Sequence, residues 1–500
     1  MKTLPAALLV LVGLSPALSA GQAPPRRPSR DLSLEQAVRL ALAHNLRLAA
    51  EKINPQLAHT VIVEQQAVFD PTTYGEFGRA KSKEQSTTAI LGERQQSAHG
   101  TLGVAKLFPP GTLIDVHAGG SREWSDTDPI FAAFNPAYRQ EWGISITQPL
   151  LRGFGVRVNT AGIATARNER RIAQAQLRDV ALATLADVEK AYWELVFAIR
   201  HRELLEASLR AASKIQSNVQ ERVKVGDMAE RDPRVKQAAA GVAIRQEEIV
   251  AADQTIRDAE DALKVITDLA ADPKVWNVGL HPTTEPPQTV PPLDPDKAAD
   301  TALAKRPDYQ QAKLAIQNQQ ILIDVHRNEL RPRLDLTAGY GNTGLGTYWN
   351  RTDHELGTAD YYAWTLGITF EYPLGNRAAR SRYRRARLGH DQAKIHLRAL
   401  ERQIQLEVRN AVRAVATGVE RIRAADASVG ADQERLRAEQ IRYEEANLGT
   451  LQDVLDAEKE LAEARIRRLR ALIDLNRALV DAERLQGTLL ESLNVAWEEE

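Results

Sequence analysis

Between Ala363 and Tyr372 the chain alternates without a break. Trp364, Leu366, Ile368, Phe370 and Tyr372 fall on one side, and Thr365, Gly367, Thr369 and Glu371 on the other. A period of two predicts a strand with one apolar and one small polar face. Arg333–Tyr340 repeats the pattern, setting Leu334, Leu336, Ala338 and Tyr340 against Asp335, Thr337 and Gly339. Trp142–Gln148 is a third clear strand, and Thr72–Lys81 a weaker one. "TLGVAKLFPPGTLIDVHAG" reads as a hairpin turning at Pro109, Pro110 and Gly111. Elsewhere apolar residues recur at three and four, predicting helices over 158–224, 231–269, 378–445 and 450–486. Their stripes are narrow: Val188, Tyr192, Leu195 and Ile199 in the first helix, and Ile404, Val408, Val415, Val419 and Ile422 in the third. A narrow stripe on charged helices is the mark of a coiled-coil seam. At 1.5 Å per residue the longest reach ~100 Å, beyond any compact domain.

The pattern occurs twice. "LSLEQAVRLALAHN" at Leu32 and "LDPDKAADTALAKR" at Leu293 align at one constant offset, which places Ala37 on Ala298, Ala41 on Ala302 and Pro71 on Pro332. "WGISITQPLLRG" at Trp142 corresponds to "WTLGITFEYPLG" at Trp364, and "VEKAYWEL" at Val188 to "VRNAVRAV" at Val408. Both halves run helix, Pro, strands, Pro, long helix, break, helix, which a duplicated unit explains. The expected organisation is a signal peptide over 1–20, a Pro-rich linker over 21–30, a first repeat over 31–270, an inter-repeat linker over 271–292, a second repeat over 293–487 and a tail over 488–500. The signal rests on Lys2, an apolar run over 6–14 and small residues at Ala17 and Ser19. That run is too short for a membrane helix, so export is expected, and a membrane is reached only by strands or surface contact.

Composition narrows the chemistry. The net charge of −1 gives no electrostatic reason to expect nucleic acid, and the absence of cysteine removes disulfides, thiol nucleophiles and cysteine metal sites. The ten histidines are scattered, without metal-ligand spacing. "GYGNTG" at Gly339 fits the G-x-G-x-x-G pattern, but a Thr, Tyr, Trp and Asn stretch follows where a dinucleotide site needs a helix start, so an extracellular loop is expected there. No P-loop and no G-x-S-x-G are present; no cofactor and no enzymatic activity are expected.

The strands suit a membrane β-barrel. Transmembrane strands are ~9–11 residues long, apolar outside and polar inside, with aromatic girdles. Here Trp124, Tyr138, Tyr348, Trp349, Tyr361 and Tyr362 flank the strands. A soluble antiparallel sheet with one wet face shares the alternation. Four or six strands cannot close a barrel, for which ~8 is the minimum, and open edges cannot face lipid. Several chains must contribute, and a dimer or a trimer satisfies the arithmetic. Trp364, Leu366, Ile368 and Phe370 then face lipid. The basic run Arg377, Arg380, Arg382, Arg384, Arg385 and Arg387 lies just below the membrane, as a solvated helix face or against anionic head groups.

"LSLEQAVRLALAHN", "QPLLRGFG" at Gln148 and "RYEEANLGTLQDVLDAEKELAEAR" at Arg442 resemble the TolC-like outer-membrane efflux proteins, and the likeness extends from about Leu32 to Leu485. The resemblance implies a mixed, mainly helical fold: a homotrimer in which each chain gives four strands to a twelve-stranded barrel and four helical stretches to a long periplasmic tube. It implies a passive exit duct, working with a periplasmic adaptor and an inner-membrane pump. It places the helix-turn tips near Gly226 and near Asn447 and Gly449. Asp453 and Asp456 match the aperture carboxylates, Asp232 the gate carboxylate and Tyr443 the gate tyrosine. The gate arginine of some members has no counterpart, since Gly449 or Thr450 falls there. The strand region 72–149 is longer than its second-half counterpart; its extra hairpin either crosses the membrane or folds outside it, and an extracellular or barrel-rim elaboration is the favoured expectation. A periplasmic coiled-coil scaffold or adaptor is the alternative reading. It lacks a reason for the duplicated strand–helix unit.

Overall fold

The computed structural model describes residues 28–85, 93–128, 130, 132–226, 228–288, 290, 292–358, 360–444 and 449–496. The expected signal peptide, and Asn447, lie outside them. In the first half β1 (Ser29–Leu32), α1 (Leu34–His44), α2 (Leu46–Glu51) and α3 (Asn54–Ala67) lead into β2 (Thr72–Lys83), β3 (Arg94–Leu107), β4 (Leu113–Ser125) and β5 (Ala137–Pro149). One helical turn, α4 (Val156–Asn159), precedes the long helices α5 (Ala161–Lys224) and α6 (Pro233–Ile266). After the short β6 (Gly279–Pro282), the second half runs α7 (Pro295–Lys305), α8 (Pro307–Glu329), β7 (Arg333–Gly346), α9 (Trp349–Thr358), β8 (Tyr362–Glu371), α10 (Arg377–Glu444), α11 (Leu451–Gln486) and α12 (Leu489–Ser492).

Helix boundaries follow capping chemistry. Ser33 and Gln36 form a reciprocal capping box at α1, and Asp294 caps α7 with Pro295 in its first turn; both satisfy amides the first turn leaves free. The sequence expectation of a helix from 231 shortens to 233 because Asp232 is the cap and Pro233 the first helical residue. At 64 and 68 residues, α5 and α10 are the two longest elements.

The duplication is visible in packing. Ala37 and Ala41 of α1 are buried in the core built on α5, while Ala298 and Ala302 of α7 are buried with Ile404 and Val408 of α10. Small residues let each short helix lie close on its long partner. Around Val188 the interior is wider than the expected seam. Leu182, Leu185, Tyr192, Trp193, Leu195 and Val196 are all buried, walled by β1, β6, α11 and α12 residues such as Leu32, Leu280, Ile473 and Leu489. The small parallel pair β1–β6 supplies that wall. Tyr192 pins it: its hydroxyl donates to Leu32 O (3.1 Å) and accepts from Thr284 N (2.9 Å). Tyr192→Phe is expected to cost about 1–3 kcal/mol, because the Thr284 N–H loses its partner while Leu32 O keeps the Thr283 N–H, and to lower the thermal midpoint without changing helix content by circular dichroism.

All six long strands form one antiparallel sheet in the order β2-β3-β4-β5-β7-β8. This corrects two expectations. The first half gives four strands and the second half two, and the extra hairpin is part of the sheet rather than a rim elaboration: β2 pairs with β3 along its whole length, from Thr72↔Ala105 to Lys83↔Arg94. "GYGNTG" is not a loop either. Gly339, Gly341 and Gly344 lie inside β7, opposite Ser145, Gly143 and Gln140. Extended backbone tolerates them because the ladder holds it, and Gly344 leaves room for Thr352 of α9, whose backbone oxygen would lie 2.4 Å from an added Cβ. The short helix α9 itself stands where the sequence predicts only loop.

Candidate functional site

Cross-strand register sorts the sheet into two faces. One row reads Thr73, Val104, Val116, Ile144, Tyr340, Trp364 across all six strands. With Leu366, Ile368 and Phe370 it builds an apolar face that the chain covers only at one end, where α9 packs over Gly120, Asn342 and Gly344; Trp364, Leu366, Ile368 and Phe370 are each 66–68% exposed. Large uncovered apolar patches on a folded protein mark a partner or a membrane. At the end away from the long helices the face turns amphipathic. Tyr138 packs edge-on against Trp349 of α9 (5.2 Å between centroids), and Arg122 lies over the Tyr138 ring (5.9 Å).

The opposite face is small and polar. The row Tyr74, Gly103, His117, Gly143, Gly341, Ala363 crosses the six strands. The Tyr74 ring lies over Gly103 and the His117 ring over Gly143, as close as 2.4 and 3.0 Å to where a Cβ would stand. Rings laid flat over glycines keep this face low. Tyr74 Oη donates to Asp115 Oδ2 (2.8 Å), and His117 Nδ1 meets Asp115 Oδ1 (2.9 Å).

At the far end of the molecule the two helix breaks meet. α5 ends at Lys224 with Val225 as its cap, and Gly226 takes a left-handed conformation (φ 81°) with open space around it; a side chain there would be strained. Met228 folds back to pack with Val219, Leu451 and Leu455. In the second break the Gly449 N–H donates to Arg442 O (3.3 Å). Thr450 then caps α11. Its hydroxyl accepts from Asp453 N (3.2 Å), and the Asp453 carboxylate accepts from Thr450 N (3.0 Å) and from Thr450 Oγ1 (2.7 Å). The "TLQD" run is a capping box that sequence reading could have found. The Thr450 hydroxyl, then its amide, hold the Asp453 carboxyl below the usual range, with Arg442 and Arg435 adding to the effect.

Asp453 and Asp456 share the exposed face of α11, opposite buried Leu451, Val454 and Leu455. Asp456 accepts from Gln452 Nε2 (2.9 Å). The two gate candidates do not meet. Asp232 caps α6 and pairs with Arg234 (2.7 Å), which holds its carboxyl down to about 2. Tyr443 accepts from Arg222 Nη1 (3.3 Å), and that guanidinium also lies over the tyrosine ring (5.8 Å). Among the described residues no hydrogen bond joins Asp232 to Tyr443. Arg222 and Arg234 went unnoticed in the sequence; nothing local distinguishes them from the many other helix-surface arginines.

The fold therefore defines a protein with an open six-stranded antiparallel sheet at one end and paired helical hairpins at the other. The family model of outer membrane efflux proteins matches residues 105–267 and 298–488, and the chain belongs to that family. Its members are channels of the outer membrane that serve efflux, and this chain is an outer-membrane exit duct of that kind. The solved outer-membrane channel OprN superposes with a TM-score of 0.67 at 19% identity, covering 91% of this chain and 90% of that one. The outer membrane protein VceC of Vibrio cholerae gives 0.65 at 19% identity, covering 91% and 96%. The CmeC outer membrane channel of Campylobacter jejuni gives 0.59 at 18%, covering 91% and 86%. At these identities the likeness is one of fold. No curated protein matched the sequence.

Proposed function

We propose that the chain is one third of a passive channel-tunnel. Three copies close the sheet into a barrel in the outer membrane and join their helical hairpins into a tube through the periplasm. The helix-turn tips at Gly226 and Gly449 face the inner membrane, where a periplasmic adaptor docks and an inner-membrane pump supplies the energy. The duct performs no catalysis, binds no cofactor and handles no nucleic acid. One observation carries this reading: an apolar sheet face left bare over most of its height, on a sheet with two open edges, continuous with helices of 64 and 68 residues. Open edges are incompatible with lipid unless other copies close them. In this assembly Trp364, Leu366, Ile368 and Phe370 face lipid, and Tyr74, His117 and Thr365 face water. Purification from outer membranes should yield a detergent-dependent trimer that conducts in planar bilayers; a monomer soluble without detergent would refute the reading.

Asp453 and Asp456 of three copies place six carboxylates around the narrow end, which favours cations. Asp232 and Tyr443 hold the closed end through Arg234 and Arg222. Asp453→Asn combined with Asp456→Asn removes the charge and leaves an oxygen for the Thr450 amide. Cation preference and block by multivalent cations should both weaken in reversal-potential measurements, while the trimer melts nearly as before. Selectivity identical to the parent would exclude these residues from the mouth.

A further inference from the structure

The six-stranded sheet exceeds the four strands per chain that the family resemblance implied, and the surplus hairpin is built like the rest. β2 and β3 hold 12 and 14 residues, enough to cross a bilayer. Phe77 and Leu102 extend the apolar face to the sheet's edge, at 81% and 72% exposure. The turn from β3 to β4 is fixed at the helical end of the sheet: Phe108 N–H donates to Thr112 O (2.8 Å), and Gly155 N–H to Pro110 O (3.0 Å) at the corner before α5. The hairpin thus spans the sheet's full height. The family match begins at residue 105, inside β3, so β2 lies ahead of it.

The helices beneath the sheet supply a second, independent measure. α3, α5, α8 and α10 pack side by side in that order, and each continues a strand: α3 runs into β2, β5 into α5, α8 into β7 and β8 into α10. Four helices at about 9 Å spacing occupy about 36 Å of circumference. Six strands about 4.8 Å apart and tilted about 40° occupy about 38 Å. Four strands would occupy only about 25 Å by the same geometry. Six strands therefore stand on the tube without a taper, where the four strands per chain of the resemblance would narrow above it.

We infer that all six strands cross the membrane and that three copies close an eighteen-stranded barrel, with β2 of one copy hydrogen-bonded to β8 of the next. The inference rests on the trimeric duct proposed above. The occupant of each open edge is a second copy of this chain. β2 leads away from the helices and β8 returns to them, so β8 laid beside β2 is antiparallel and continues the up-and-down order. Register puts Phe77 of the β2 edge and Trp364, Leu366, Ile368 and Phe370 of the β8 edge on the same face of the sheet. The backbone diameter is about 36 Å, against about 24 Å for twelve strands, and the bore has roughly twice the cross-section. On the polar face glycines, serines and threonines alternate with Tyr74, His99, His117 and Arg139, and the wider bore sets the narrow point of the duct at the helical end.

The chain contains no cysteine, so engineered pairs report cleanly in outer-membrane vesicles. Phe77→Cys in β2 is combined in turn with Trp364→Cys, Leu366→Cys and Ile368→Cys in β8. Oxidation should convert at least one pair into covalent dimers and trimers that the single variants do not form. In a parallel set Val116→Cys in β4 replaces Phe77→Cys. Cross-links in that set instead would place β4 at the seam and leave the β2–β3 hairpin outside a twelve-stranded barrel. That result overturns the inference and leaves the trimeric duct intact. Trimers without cross-links in either set would overturn it as well. Should the variants fail to assemble, the unaltered protein in lipid nanodiscs decides by electron cryomicroscopy: eighteen strands in the barrel wall support the inference, and twelve end it.

Discussion

Leu366→Arg is expected to remove most of the assembled protein from the outer membrane, whereas Thr369→Arg, three residues along the same strand, is expected to leave it in place. The two positions differ in the face they occupy. Leu366 pairs with Ala338 on the apolar face, and Thr369 pairs with Asp335 on the polar one. Leu366 lies in the middle of β8 and is 67% exposed in the single chain. If that exposure is to lipid, an arginine there costs about 2–4 kcal/mol near the bilayer midplane. Each trimer carries the penalty three times. A guanidinium at position 369 projects into water and sits across from a carboxylate. Its effect should fall on conduction instead, because it adds positive charge to the bore. Trimer abundance in outer-membrane fractions, together with the temperature at which the trimer dissociates in detergent, measures both. Equal loss for the two variants would mean the sheet faces are not divided between lipid and water.

That experiment depends on a distinction the amino-acid order already carries. A period of two is unambiguous in β8 because every odd position from Ala363 to Glu371 is small or polar and every even one is large and apolar. The long helices are equally legible, since their stripes persist over many turns and Asp232–Pro233 and Thr450 mark where they begin. β2 is harder to read. Its apolar-face positions are Thr73, Gly75, Phe77, Arg79 and Lys81, with one large apolar side chain among them. Its place in the sheet comes from pairing with β3, a non-local fact that periodicity cannot express. The same holds at the helix breaks. Asp453 reads as one of two neighbouring carboxylates, yet its geometry is set by the Thr450 cap as well. Arg222 and Tyr443 meet across 221 residues of chain. The interior around Tyr192 is wider than a seam because β1 and β6, four residues each, are too short to carry a period. Local pattern therefore reveals elements and faces, and tertiary contact decides which polar groups are partnered.

Glu189→Gln is expected to stabilise the protein above pH 7 and to change nothing at pH 4. Glu189 sits on α5 beside the interior around Tyr192, outside the membrane sheet. Burial raises its carboxyl from 4.5 to about 7; the nearby Glu483 carboxyl adds to the rise, and the Trp193 indole N–H, donating to Glu189 Oε1 (3.3 Å), opposes it. Its second oxygen is buried with no hydrogen-bond partner. The sign follows from proton counting. Below pH 4.5 the carboxyl is protonated in both folded and unfolded chains and contributes no pH dependence. Between 4.5 and about 7 the unfolded chain gives up the proton while the folded chain keeps it, so stability falls as pH rises. Above pH 7 both are ionised, and the folded chain carries the full cost of an ionised carboxyl in a poorly solvated site, about 3 kcal/mol per protomer. Glutamine keeps the shape and an oxygen for Trp193 while removing the charge. Melting curves at pH 4, 6 and 8 should therefore separate progressively, with the variant a few degrees higher at pH 8 and coincident with the parent at pH 4. A gain of equal size at every pH would assign the effect to packing, and no gain at pH 8 would mean that Glu189 is solvated in the assembled tube.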